Sequence, residues 1–386
     1  MPLSTNTTRL LPLDALRGLI IVLMALDHAR LFIALDHPAE FWGVALPQYQ
    51  DALPFITRLI THLSAPGFFF LMGAGMMLFA EARRQSGWSA AEISRYFAVR
   101  GALLIVLQLV LENPAWWLGE ANQAINTYGV RPPGGNGNEP WLYFGVLYGL
   151  GATLLVYSLL WYRGTAVLIL VSSSAILATQ FLTLSPAYAA VQYDPWLRLL
   201  LIPGQTGIWL VNYPVIPWLG VTGLGLVFGK ALVRDPDRAY GGALLAGAMA
   251  LGFFLVLRGI GGFGNIHPVA EGGWIAFLNM TKYPPSLVFL LFTLGVDLLL
   301  LALLAKLGMG FTQSIEPLLV FGRTALFFYI THLYVYALIG LAIPGSTPIA
   351  LMYPLWLFGL VLLYPLCRWY EGFKQRTPPR SIWRLF

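Results

Sequence analysis

The sequence predicts an all-α polytopic integral membrane protein of about ten transmembrane helices, and two observations carry that prediction. Apolar residues make up 58% of the 386-residue chain and charged residues only 10%, whereas a soluble domain carries about 25% charged residues. Apolar runs of membrane-spanning length then recur along nearly the whole chain, separated by turn residues or short charged loops. No stretch is polar enough for a separate soluble domain. Residues 1–386 therefore read as one transmembrane domain, with a short N-terminus at 1–13 and a basic tail at 371–386. The net charge of +6 sits in short loops and the tail, where it sets orientation; it points to membrane lipid and not to nucleic acid. The single cysteine, Cys367, excludes an internal disulfide and a thiol metal cluster. The first apolar run is long and no small-residue cleavage site follows it, so it is expected to remain as a span.

The first span, at about 15–36, contains Arg17, Asp27, His28 and Arg30. Ionisable residues inside a span are costly, which makes this helix a functional-site candidate. Asp27 and Arg30 are three apart and are expected to pair on one helix face. Arg17 and His28 are eleven apart, or three turns, so they share a face about 16 Å apart along the axis. An outer loop at 37–55 holds His37, Glu40, Trp42 and Asp51. The second span, about 56–80, contains Thr61-His62 and a Pro66-Gly67 pair expected to kink it. Residues 81–100 carry the capping-box pair Ser89 and Glu92 and read as a short basic helix on the membrane surface.

The third span, about 97–118, ends at Glu112, Asn113 and Pro114, and the Gly/Pro/Asn-rich stretch 119–140 reads as a loop. A tight Arg163-Gly164 turn joins the fourth and fifth spans, about 141–162 and 165–184. A mixed loop at 185–208 precedes the sixth span, about 209–232, and the seventh is about 240–259. A glycine-rich loop at 260–283 holds His267, Glu271 and Lys282. The eighth span, about 284–305, carries Asp297, and the ninth, about 317–342, carries Arg323, Tyr329 and His332. Asp297 and Arg323 are expected to neutralise each other. The tenth is about 350–370.

Ten spans put both termini on one side. That side collects about sixteen Lys and Arg residues, while the other holds Arg30, Arg58, Arg131, Arg198, Arg258 and Lys282. The positive-inside rule then places both termini in the cytoplasm. All five histidines fall toward the outer side: His28, His37, His62, His267 and His332.

His28, beside Asp27, reads as a general base or as an imidazole that accepts an acyl group, with the carboxylate orienting the ring; the other reading is a polar cluster between helices. His62, next to the Pro-Gly break, is either a second site residue or a headgroup-level histidine. His37 reads as a solvated loop residue. His332 fits an interhelical hydrogen bond or a catalytic role equally, and His267 has no strong claim. Arg17 is a phosphate-binding cation or a topology anchor. No histidine pair has the tight helical spacing of a zinc motif, and there is neither a phosphate-binding Gly-Lys-Ser/Thr loop nor a dinucleotide fingerprint. No metal is expected. A proton-coupled transporter is the rival class, because Asp/His chains also serve proton relays.

The run Leu13-Asp14-Ala15-Leu16-Arg17-Gly18 through Asp27-His28-Ala29-Arg30 resembles the first helix of bacterial membrane proteins related to heparan-alpha-glucosaminide N-acetyltransferase. Four later stretches resemble the same family: Thr61 to Gly73, Tyr213 to Gly220, Thr281 to Ser286, and Phe321 to His332. The resemblance implies a transmembrane acyltransferase of the bacterial inner membrane. It would move an acetyl group from cytoplasmic acetyl-CoA, its co-substrate, to an outer-side sugar or glycan. The family's catalytic histidine follows the first helix, ahead of a Trp-Asn-Gly, and its match is His37 before Trp42-Gly43, with longer spacing and no Asn. A helix-1 asparagine of the lysosomal enzyme corresponds to Asp27 and a helix-2 aspartate to His62. The wider acyltransferase-3 group is also similar: a cation, ten residues, then a catalytic histidine, the spacing of Arg17 and His28. The implied catalytic set is His28, Asp27 and His62, with His37 third. Arg17, Arg323 and Lys282 are the candidates for binding acyl-CoA. The sequence sets no oligomeric state, and a dimer is compatible with it.

Overall fold

The structure, a computed structural model, describes residues 4–126, 142–183, 193–343, 346–378 and 381. Arg131 with most of the 119–140 loop, residues 184–192 of the mixed loop, and Arg380 and Arg384 of the tail lie outside the described residues.

Each of the ten apolar segments coincides with helix. Helix α1 is Ser4–Phe32. The second span is a pair, α2 (Ala52–Thr61) and α3 (Ser64–Gln85). The third is α4 (Ala90–Leu107), a π-helical turn at Gln108–Glu112, and α5 (Asn113–Asn126). Strand β1 (Leu142–Phe144) leads into α6 (Val146–Ser158), followed by α7 (Thr165–Leu182). A short α8 (Pro195–Leu200) and strands β2 (Gly204–Thr206) and β3 (Trp209–Val211) fill the mixed loop. Then come α9 (Val215–Arg234), α10 (Pro236–Ile260), the short α11 (Gly273–Leu278) and α12 (Leu287–Ser314). The chain closes with α13 (Glu316–Arg323), α14 (Ala325–Ala342) and α15 (Ile349–Arg376). Among the described residues, eight helical segments are long and apolar enough to cross a membrane. Helix α1, with its charges, and the short apolar α6 are the other two segments.

Three features depart from the sequence reading. The break in the second span falls at His62-Leu63, ahead of Pro66. Pro66 sits in the first turn of α3, where its missing N–H has no intrahelical partner to lose. The Ser89–Glu92 capping box forms, but it starts a helix that runs on into the third span, so residues 90–100 are not a separate surface helix. The all-α architecture also carries a small sheet, order β1-β3-β2, with β1 parallel and β2 antiparallel to β3.

Helix α1 is the centre of the bundle. It packs against α2, α3, α5 and α12 to α15, and from Leu11 to Phe32 most of its side chains are buried. Its closest neighbour is α13. A Cβ on Gly18 would lie 1.9 Å from the Leu318 carbonyl oxygen, and one on Gly322 would lie 2.0 Å from the Asp14 carbonyl oxygen. Small residues let two membrane helices approach this closely. Gly18→Ala should therefore force α13 away from α1 and destabilise the fold by at least about 1–3 kcal/mol. A variant that melts at the wild-type temperature in detergent would contradict this packing.

Loop 33–51 is stitched to the segment before α12. Phe41 bridges Tyr283, the Trp42 N–H donates to the Tyr283 carbonyl (2.8 Å), and the Lys282 and Tyr283 N–H groups both donate to the Glu40 carbonyl (3.0 and 3.1 Å). These bonds bring Glu40, His37 and Lys282 to the end of α1.

Candidate functional site

His28 faces α14. Its Nδ1 lies 2.7 Å from Nε2 of His332, and Nδ1 of His332 lies 3.0 Å from the Phe328 carbonyl oxygen. A carbonyl only accepts, so a neutral His332 carries its proton on Nδ1 and offers Nε2 as acceptor. His28 must then donate from Nδ1. Its remaining nitrogen, Nε2, carries the lone pair and has no protein partner among the described residues. The two rings are nearly coplanar (17°), and Trp116 meets His28 edge-on at 5.3 Å. His332, not Asp27, orients the His28 ring.

Asp27 belongs to a second network, built on Arg58 of α2. Arg58 donates from Nη1 to both Asp27 oxygens (2.6 and 2.8 Å), from Nε to Glu40 Oε1 (2.9 Å) and from Nη2 to Glu40 Oε2 (2.6 Å). The Thr61 hydroxyl adds a bond to Asp27 (3.0 Å). All three charged groups are buried. The sequence-expected Asp27–Arg30 pair does not form: Arg30 turns to Asp36 (3.1 Å from Nε) and to the Pro54 carbonyl (2.8 Å). Burial works to raise the carboxyl pKa of Glu40, but the charges of Arg58 and His62 hold it well below the usual range.

His37 is not a solvated loop residue. Its ring, 16% exposed, packs against this network, with Nε2 3.2 Å from Arg58 Nη1 and 3.4 Å from Asp27 Oδ2. Burial, followed by the Arg58 charge, holds its pKa below the usual imidazole value. The ring is thus neutral near pH 7, and the Arg58 N–H, which can only donate, uses the Nε2 lone pair. His62 lies behind the network, with Nε2 3.5 Å from Glu40 Oε2, an ion-pair separation without a formed hydrogen bond.

Two cavities converge on the middle of the bundle. One, of about 70 Å³, is lined by Asp27, His28, His37, Lys282 and a ring of aromatic side chains including Trp116, Tyr143 and Tyr213. Lys282 is buried here with Nζ 5.1 Å from the centre of the Tyr283 ring. The other, of about 340 Å³, is lined by Arg17, Arg100, Arg323 and Lys374 together with apolar residues of α3, α4 and α6. Tyr329 and Val146 line both. Of the residues singled out from the sequence, His28, Asp27, His37 and Lys282 thus share one cavity, and Arg17 and Arg323 the other. His62 lines neither.

The expected Asp297–Arg323 pair does not form either. Arg323 ends α13 and reaches Asp14 (3.6 Å) and Glu371 (3.3 Å), while neither oxygen of the buried Asp297 has a hydrogen bond among the described residues. His267 bonds the Thr281 hydroxyl (2.8 Å). Arg58, Glu40 and Tyr329 were missed as site residues. The sequence signal for Arg58 is slight: a cation just inside the second apolar segment, with Arg30 nearer in sequence to both Asp27 and Glu40.

Fold and cavities together define an all-α polytopic membrane protein with a cationic cavity and a histidine-bearing cavity that share Tyr329 and Val146 in their linings. The family model described as heparan-alpha-glucosaminide N-acetyltransferase, catalytic, matches residues 9–259, and the chain belongs to that family. It is an acetyltransferase, and the family uses acetyl-CoA as co-substrate. No curated protein matches the chain.

Proposed function

We propose that the chain takes the acetyl group of acetyl-CoA bound in the Arg17 cavity and delivers it to an amino sugar or glycan in the His28 cavity, across a bacterial inner membrane. The observation that carries this reading is that Tyr329 and Val146 line both cavities, so the two lie side by side. A donor and an acceptor entering from opposite ends then bring their reacting atoms together. The excess of Lys and Arg assigns the Arg17 end to the cytoplasm, where acyl-CoA is found. Arg17, Arg100, Arg323 and Lys374 supply cations for the donor's phosphates, and the apolar wall suits an extended pantetheine arm.

His28 serves as the general base. Among the described residues no group meets its Nε2 lone pair, whereas the His37 Nε2 lies 3.2 Å from the Arg58 Nη1 donor. The acceptor amine attacks the thioester carbonyl, Nε2 takes the proton, and CoA leaves as a thiol with a proton returned from His28. His332 keeps the ring in place through both transfers, and the Asp27 carboxylate acts on the imidazolium by charge. His37 and Arg58 position Asp27.

Proteoliposomes given labelled acetyl-CoA and a panel of amino sugars test the reading. Label should move to an acceptor, and proton-dependent sugar uptake without acetylation would sink it. Arg17→Ala and Arg323→Ala should each raise KM for acetyl-CoA by about tenfold, the loss of one charge-assisted contact, and leave KM for the acceptor unchanged. Added salt should raise the wild-type KM for acetyl-CoA as well, since these cations are partly exposed.

A further inference from the structure

An acyl transfer needs a hydrogen-bond donor for the oxygen that becomes negative, placed where the thioester carbonyl sits. In this fold that place is the junction of the two cavities. Among the described residues, Tyr329 is the only polar one that lines both. Of the other donors that line the His28 cavity, the Thr61 hydroxyl is committed to Asp27 (3.0 Å), the Ser64 hydroxyl to the Ile20 carbonyl (2.8 Å) and the Trp116 indole to Glu112 (3.2 Å), while Asn212, Tyr143, Tyr213 and Tyr283 line that cavity and not the Arg17 one. Lys282 lines the acceptor side only.

We propose that Tyr329 is a catalytic residue whose hydroxyl donates to the thioester oxygen as the tetrahedral intermediate forms. This rests on acetyl transfer from CoA in the Arg17 cavity. In the step, the amine lone pair forms the new C–N bond and the carbonyl π pair moves to oxygen, where the Tyr329 O–H holds it. His28 Nε2 takes the amine proton. The pair returns as the C–S bond breaks, and the leaving sulfur receives the proton from His28. Tyr329 keeps its own proton throughout.

The surroundings fit a donor held ready. Tyr329 and His332 stand one turn apart on α14, with ring centres 5.6 Å apart, so one helix face presents both the oxyanion donor and the group that orients the base. The hydroxyl faces the Glu112 carboxyl, brought inward by the π-helical turn, and Oε2 of that carboxyl has no formed hydrogen bond. Glu112 is thus a positioning residue: as a protonated carboxyl it donates to the phenol oxygen, which aims the phenol and leaves the phenol's own proton for the substrate.

The test is Tyr329→Phe, which keeps the ring and removes the hydroxyl. In proteoliposomes that transfer acetyl groups with wild-type protein, kcat should fall about 10²- to 10³-fold, the loss found for one oxyanion donor. Affinity for CoA, measured by calorimetry, should stay within twofold. Wild-type activity combined with a folded, CoA-binding Tyr329→Phe whose kcat is within twofold of wild type overturns this role and leaves the acetyltransferase reading intact. No transfer by the wild type overturns both. If Tyr329→Phe does not bind CoA, fluorotyrosine incorporated at 329 decides: kcat that responds to the phenol's acidity, at constant CoA affinity, supports the donor, and unchanged kcat overturns it.

Discussion

His28→Ala should lower kcat for acetyl transfer by about 10² to 10⁴-fold, the range for loss of a positioned general base, with CoA still binding in the Arg17 cavity. The expectation follows from proton bookkeeping around two imidazoles. The Phe328 carbonyl fixes the proton of His332, His332 fixes that of His28, and the unpartnered Nε2 of His28 belongs to a ring lining the acceptor cavity. His332→Phe removes the acceptor for His28 Nδ1 and lets the ring rotate and change tautomer. Its loss should be intermediate, about tenfold to a hundredfold. His37→Ala should cost less than tenfold, since His37 Nε2 is engaged by Arg58. Kinetics of the three variants with saturating acetyl-CoA rank the roles. An inactive His37→Ala beside an active His28→Ala would reverse the assignment.

The two ends of this arrangement were legible because they lie on one helix. Three turns separate Arg17 and His28 on a common face, and the structure places one in each cavity. Apolar run length likewise located helix, and among the described residues eight helical segments are long and apolar enough to cross a membrane. What the sequence hid was the choice of partners. Helical spacing offered Arg30 to Asp27, but the last turn of α1 directs Arg30 to Asp36 and Pro54, and Asp27 meets Arg58 from another helix. Two opposite charges three residues apart are free to pair only when neither finds a better partner across the bundle. His37 looked solvated because loop polarity says nothing about a loop that folds inward. Here the bonds from 282 and 283 to the Glu40 carbonyl carry it over the end of α1. His28 and His332 are 304 residues apart, a separation no local pattern bridges. Asp297 and Arg323 carry opposite charges in neighbouring spans, yet α13 ends at Arg323 and leaves its side chain beside Asp14 and Glu371.

Arg58→Met should be the most destabilising single change of those considered, by about 3–5 kcal/mol, because it leaves two buried carboxylates without their cation. Arg58 makes five polar contacts to Asp27, Glu40 and His37 and is 1% exposed, while Glu40 is fully buried. Cys367 is the single cysteine and is buried, so a thiol-reactive fluorophore reads unfolding directly. Arg58→Met should unfold well below the wild type. Combining it with Asp27→Asn and Glu40→Gln should recover most of the loss, since removing a whole buried ionic network costs far less than breaking it. The pH dependence gives an independent check. Glu40 is held below its ordinary pKa in the folded protein, so its contribution is fully present above the ordinary carboxylate range, about 4.3, and is lost as pH falls through the folded value. In Arg58→Met the sign reverses: with the guanidinium gone, burial raises Glu40, and protonation relieves the unpaired charge. The gap between variant and wild type should therefore narrow as pH drops from 7 toward 5. A gap that is constant over that range would mean that Arg58 stabilises the fold by packing and not by neutralising Asp27 and Glu40.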